Sequence, residues 1–228
     1  MYEDIADNVR RVRDRLAEAA ARAGRDPSEI ELVAASKTRT AEEIRAAVAA
    51  GVTVIGESRV QEAEPKIAAL AGLPCQWHLV GHLQRNKAAR AVARFDCIQA
   101  VDSERLAVEL AAQAARAQKV IRVLVEVNTS GEESKFGVEP AAAGDLAAFA
   151  AARAELELAG LMTVGPFSAD RERVAGAFRT LRGIFEELKP TLPPAFRELS
   201  MGMTDDFEVA VAEGSTMVRI GRAIFGPR

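Results

Sequence analysis

ELVAASKTRTAEEIRAAVAAGVTVIGESRVQEA, residues 31–63, contains one structural pattern twice over. An apolar β-type run, ELVAAS (31–36), is followed closely by Thr40-Ala-Glu-Glu43. That is the capping-box arrangement, in which a hydroxyl and a carboxylate satisfy unpaired N–H groups at a helix start. A second run, VTVI (52–55), leads the same way into Ser58-Arg-Val-Gln61 and a helix striped by Val60, Ala63, Ile67 and Leu70. Strands alternating with helices at this spacing read as parallel strands joined by crossovers.

The alternation continues through the chain. QWHLV (76–80), CIQAV (97–101), VIRVLVEV (120–127), LELAGLM (156–162), FRELS (196–200) and TMVRI (216–220) read as further strands. Amphipathic stretches such as Val174, Phe178, Leu181, Phe185 and Leu188 lie between them. Ahead of the first strand, Ile5, Val9, Val12, Leu16 and Ala19 form the stripe of a leading helix that ends near Gly24. Such a series can build an open doubly wound sheet or a closed barrel, and about eight units in roughly 200 residues favour closure. No linker or composition break marks a second domain; the loop 129–140 and the Pro-rich patch 190–194 read as connections. The expected architecture is α/β: a single TIM-type (β/α)8 barrel domain over 1–228, with residues 1–24 as an extra N-terminal helix.

Composition narrows the functional classes. The 228 residues are 49% hydrophobic and 28% charged with a net charge of −3, which fits a globular chain and excludes disordered or collagen-like ones. Arg10, Arg11, Arg13 and Arg15 are interleaved with Asp7, Asp14 and Glu18, a solvated helix face and no nucleic-acid-binding patch. No run approaches the ~20 apolar residues of a membrane span, and the N-terminus lacks signal-peptide character, so a cytoplasmic protein is expected. Cys75 and Cys97 lack CxxC spacing and read as reduced, buried thiols.

In a (β/α)8 barrel the chemistry gathers at the C-terminal strand ends. There the sequence places Lys37, Gly56-Glu57, His78, Gly81-His82, Asp102-Ser103, Asn128, Met162, Ser200-Met-Gly-Met203 and Arg219-Ile-Gly221. Lys37 follows the first strand: either its amine is desolvated and made nucleophilic toward carbonyls, or it snorkels into solvent. Glycines directly after the seventh and eighth strands, Gly202 and Gly221, let backbone N–H groups turn toward an anion, which points to a phosphate-bearing ligand. Arg219 shares a face with Met217; its guanidinium either enters the barrel mouth or pairs outward with a helix carboxylate. His78 and His82 sit at a strand end, where four-residue spacing does not make a metal pair, and no metal site is expected. Met162, Met201 and Met203 read as packing around the mouth, and Glu57, Glu62 and Glu64 as surface or capping carboxylates. No GxSxG, GxGxxG or Walker-type motif occurs, leaving serine hydrolysis, nicotinamide binding and nucleotide hydrolysis unsupported.

The residues LVAASKT (32–38), GESRVQEA (56–63), WHLVGHLQRNK (77–87), VNTSGEESKFG (127–137), GLMT (160–163), LSMGMTDDFEVAV (199–211) and STMVRIGRAIFGPR (215–228) resemble those of the pyridoxal phosphate homeostasis proteins, relatives of the N-terminal barrel of alanine racemase. The resemblance covers nearly the whole chain. It implies a barrel of the alanine racemase N-terminal type holding pyridoxal 5′-phosphate (PLP) at its mouth. Lys37 matches the lysine that forms the internal aldimine. Ser200, within the SMGM turn that contains Gly202, matches a phosphate-holding position. Gly221-Arg222 matches the second phosphate turn, and Arg219 the arginine facing the pyridine nitrogen. Ser58 stands where the family commonly has Asn, so a hydroxyl or water would replace an amide contact there. Arg222 stands where Thr or Ser is common.

The resemblance implies vitamin B6 homeostasis: binding PLP as a Lys37 aldimine and delivering it to apoenzymes, as a monomer without catalytic residues. The competing reading is a PLP-dependent racemase or decarboxylase. Arg219 would leave the ring nitrogen unprotonated and weaken the electron sink. Related racemases take their second base, a tyrosine, from a further domain, whereas the one tyrosine here is Tyr2. A Schiff-base aldolase of phosphorylated sugars is a third reading. Lys135 is either a transient acceptor of the aldehyde during release or a solvated loop lysine.

Overall fold

The computed structural model describes residues 3–227; Tyr2 lies outside them. Eight strands, β1 (Glu31–Ala35), β2 (Val54–Glu57), β3 (Gln76–Leu79), β4 (Cys97–Val101), β5 (Ile121–Glu126), β6 (Leu156–Met162), β7 (Glu198–Ser200) and β8 (Met217–Ile220), pair in parallel in chain order. β8 returns to β1, with Arg219 opposite Val33, and the sheet is a closed barrel. The expected closure over an open sheet is therefore what forms. Helices occupy the outside: α1 (Glu3–Arg22), α2 (Ala41–Ala49), α3 (Val60–Ala69), α4 (Ala88–Arg94), α5 (Glu104–Arg116), α6 (Ala143–Ala151), α7 (Arg171–Leu188), α8 (Phe207–Ala212) and α9 (Arg222–Phe225).

The leading helix has a structural task. α8 and α9, which flank the β8–β1 seam, have only 6 and 4 residues, too few to cover it. α1 lies against α2, α8 and α9 and buries Ile5, Val9, Val12, Leu16, Ala19 and Ala20 there. Side chains tie it down, since Asn8 donates to the Ile224 carbonyl at 2.9 Å and Arg25 to those of Val211 and Ser215 at 3.0 and 2.8 Å.

Alternation along the strands divides the core. Residues such as Leu32, Ala34, Ile55 and Leu79 join the large helix-facing core. Val33, Val54 and Met217, with Val80, form a small cluster inside the barrel, and Cys97, Ala100, Leu124, Ala159 and Met162 form another. Both cysteines are free thiols; Cys97 is buried, which pushes its pKa up, but Cys75 is only half-buried. Among the described residues no helix is long and apolar enough to cross a membrane.

One helix start differs from expectation. The box at Thr40 forms, with Glu43 N–H donating to Thr40 Oγ1 at 3.2 Å and Thr40 N–H to Glu43 Oε2 at 2.7 Å. The box expected at Ser58-x-x-Gln61 does not: α3 is capped at Arg59 without a side-chain bond. The cause is the length of β2, which begins two residues later than VTVI and stays paired through Glu57 opposite Leu79. Ser58 is thereby held in the strand exit, so close to Gly81 that a Cβ on that glycine would lie 2.5 Å from the Ser58 carbonyl oxygen.

Candidate functional site

The C-terminal strand ends enclose a cavity of about 550 Å³ between the exits of β1 and β8. Lys37, Arg219, Gly221 and Arg222 line it, together with Phe167 and Met203 from the loops after β6 and β7. The structure thus brings together four of the expected site residues. Of the two readings for Lys37, desolvated or reaching into solvent, its exposure in the cavity wall favours the second. At Gly221 the turn passes close to β1, and a Cβ would come within 3.0 Å of the Ala35 carbonyl oxygen. The chain then enters α9, a single turn whose first N–H groups have no acceptor within the helix. The Arg222 side chain is exposed and engages both carboxylate oxygens of Asp205, so its guanidinium is already paired.

Arg219 points inward. It is 5% exposed, donating from Nη1 to Ser200 Oγ at 2.5 Å and from Nη2 to the Thr163 carbonyl at 2.6 Å. The outward-facing alternative is thereby excluded. Desolvation lowers its pKa to about 10, opposed by the charges of Glu126 and Asp206, so it remains a cation at neutral pH. Ser200 Oγ donates to Gln99 Oε1 at 2.6 Å, and Gln99 Nε2 donates to His78 Nδ1 at 2.9 Å. A directional chain therefore runs from Arg219 through Ser200 and Gln99 to His78, linking β8, β7, β4 and β3 through the barrel interior.

Ser200 sits at the centre of that chain. Its hydroxyl is fully buried, donating to Gln99 and accepting from Arg219, and is not part of the cavity lining. Gly202 (φ +97°) serves the backbone: its carbonyl accepts from Arg219 N–H at 2.9 Å, and a Cβ would meet Ala210 Cβ at 2.6 Å. Ser58 is half-buried and is not brought to the cavity.

Burial dominates the ionisation of the surrounding groups. Desolvation, with Arg122 adding to it, lowers the His78 pKa to about 3; the ring is neutral and accepts at Nδ1, so its proton is on Nε2. Desolvation raises Glu126 to about 7, helped by Asp102 and opposed by Arg219. His82 Nδ1 lies 2.9 Å from Asp102 Oδ2, and its ring stacks on Phe136 at 3.9 Å. Lys135 is half-buried, donating to the Gly165 carbonyl at 2.6 Å and Glu132 at 3.3 Å. It lines a second cavity, of about 400 Å³, that shares Phe167, Met203 and Asp205 with the first.

Glu57 is a further correction. Expected at the surface or in a cap, it is fully buried, with Oε1 receiving Lys66 Nζ and Ser36 Oγ, each at 2.6 Å. Gln99, Glu126, Phe167 and Asp205 also went unread in the sequence. Of these, only Glu126 had a positional signal, as the residue two before Asn128 at the exit of the fifth strand.

The alanine racemase N-terminal domain model matches residues 2–228. A pyridoxal phosphate homeostasis protein of Aquifex aeolicus is 40% identical over 225 residues, 99% of each chain. Among solved structures, a protein of unknown function from Bifidobacterium adolescentis superposes with a TM-score of 0.92 at 41% identity, covering 98% of this chain and 95% of that one. PipY of Synechococcus elongatus, solved with PLP bound, superposes with a TM-score of 0.80 at 36% identity over 92% of this chain and all of its own. By these measures the chain belongs to the alanine racemase N-terminal domain family and, within it, to the pyridoxal phosphate homeostasis proteins.

Proposed function

We propose that this protein binds pyridoxal 5′-phosphate at the β1–β8 mouth and serves PLP homeostasis, holding the cofactor and releasing it to apoenzymes as a monomer, without turning over amino acids. The observation that carries the reading is the convergence of Lys37, Arg219 and the head of α9 on one cavity. The donor set suits this ligand: an amine for an aldehyde, helix-start N–H groups for a phosphate, and a fixed cation for a ring nitrogen. The tight Gly221 turn, which a side chain would crowd, lets the backbone approach the phosphate. PipY, similar over its whole length, has PLP bound.

Bound there, PLP would supply an aldehyde, a carbonyl that an amine can attack. The protein supplies position and charge. Lys37 presents the amine. Gly221, Arg222 and Ala223 offer backbone N–H groups, while the Arg222 side chain, tied to Asp205, fixes the loop after β7 against this turn. Arg219, backed by Ser200 and Thr163, keeps its protons at neutral pH and would donate to a ring nitrogen placed against it, which would disfavour carbanion chemistry. The relatives' designation as homeostasis proteins supports a non-catalytic role.

The test is to mix the protein with PLP, record the visible spectrum, reduce with borohydride and map the modified peptide beside Lys37→Ala. A reduced adduct on Lys37 that is absent from the variant is expected. Its absence from the wild type would overturn the reading, and racemisation of added alanine would overturn the non-catalytic part.

A further inference from the structure

We infer that the ion pair between buried Glu57 and half-buried Lys66 is the positioning device for Lys37, holding the turn from Ser36 to Arg39 in the strained conformation that aims the amine. This rests on the PLP reading given above. Every polar group of Ser36 is engaged. Its N–H donates to the Gly56 carbonyl at 2.9 Å, its Oγ donates to Glu57 Oε1 at 2.6 Å, and its carbonyl accepts from Lys66 Nζ at 2.9 Å and Arg39 N–H at 3.0 Å. Lys66 Nζ closes the triangle on Glu57 Oε1 at 2.6 Å. Two elements, the end of β2 and the middle of α3, thus grip the residue immediately before Lys37.

The residue immediately after it is under strain. Thr38 has φ +66°, the left-handed region in which a β-branched side chain clashes with its own backbone. Such a conformation persists only where its surroundings over-determine it. Beyond Thr38 the chain is anchored again, because Arg39 Nη2 donates to the carbonyls of Gly226 and Pro227 at 2.6 and 3.1 Å. Lys37 and Thr38 therefore span two fixed points. Stability alone does not account for the pair, since an apolar pair of similar volume commonly serves a core as well, and Glu57 Oε2 is buried with no hydrogen-bond partner. A fixed backbone direction at Lys37 does account for it.

A positioning role separates covalent capture from simple binding. The probes are PLP, trapped with borohydride, which delivers hydride to the C=N carbon and leaves a secondary amine on Lys37, and 4-deoxypyridoxine 5′-phosphate, which lacks the aldehyde. In Lys66→Met the rate of trappable capture should fall at least about tenfold while affinity for the deoxy analogue changes less than about twofold, because a small misplacement of a reacting group costs far more than a small change in contact. Lys66→Arg, which keeps the charge and donors, should recover most of the rate. Should Lys66→Met fail to fold by near-ultraviolet circular dichroism, the double variant Glu57→Gln/Lys66→Met leaves no buried charge and should show the same split. Equal losses for both probes, or no loss of capture, would overturn the inference with the PLP site intact. A wild type that forms no Lys37 adduct would overturn the PLP reading, and the inference with it.

Discussion

At the scale of single residues, two buried groups titrate in opposition. His78, brought from an ordinary 6.5 to about 3, is neutral in the native state where the unfolded chain is protonated, so it removes stability as pH falls below 6.5. Glu126, raised from 4.5 to about 7, is protonated in the native state where the unfolded chain is ionised, so it adds stability as pH falls from 7 toward 4.5. Between 6.5 and 4.5 the two nearly cancel, and the wild type should be flatter there than His78 alone would make it. Glu126→Gln removes one partner of this balance. Its stability relative to the wild type should decline with falling pH by up to about 1.4 kcal/mol per unit within that window, steepest near its middle. Urea denaturation at matched pH values measures the difference, and parallel curves for the two proteins would show that Glu126 carries no extra proton in the native state.

At the scale of elements, two helix starts with the same sequence signature differ in substance. Thr40 holds a complete capping box, and Thr40→Ala should cost about 1 kcal/mol. Ser58 caps nothing, and Ser58→Ala should stay within about 0.5 kcal/mol. Equal losses in denaturant unfolding would refute the distinction. The pair also shows where reading the sequence stops. Strand–helix alternation and the stripe of α1 made the barrel legible, because period and spacing are local properties. Lys37, Arg219 and Gly221 were legible because strand ends locate a barrel's mouth. Glu57 was not: whether β2 ends at residue 55 or 57 turns the same carboxylate from a helix-start group into a buried one, and its partner Lys66 meets it only once α3 has docked. The roles of Gln99 and Ser200 were hidden for the same reason, since their chain joins residues 101 apart in sequence and exists only in the closed barrel.

At the scale of the whole molecule, the leading helix and the proposed ligand site share one seam. β1 ends toward Lys37, β8 carries Arg219 and ends at Gly221, and α1 covers the outside of the joint between these strands. Leu16, 5% exposed, is part of that cover, and Leu16→Ala should cost about 2–5 kcal/mol. A ligand that binds only the closed barrel stabilises it by mass action, about 2.7 kcal/mol at 100 times its Kd. If α1 supports the barrel without shaping the cavity, PLP at one concentration, 100 times the wild-type Kd, should add that same increment to the wild type and to Leu16→Ala. The two effects then add, as expected for separated sites. Urea midpoints with and without PLP measure both quantities. A variant whose Kd is weakened along with its stability would show that the cover holds the seam in register for binding. Lys37→Ala completes the comparison, because it should keep the wild-type midpoint without ligand and gain far less from PLP at the wild-type saturating concentration.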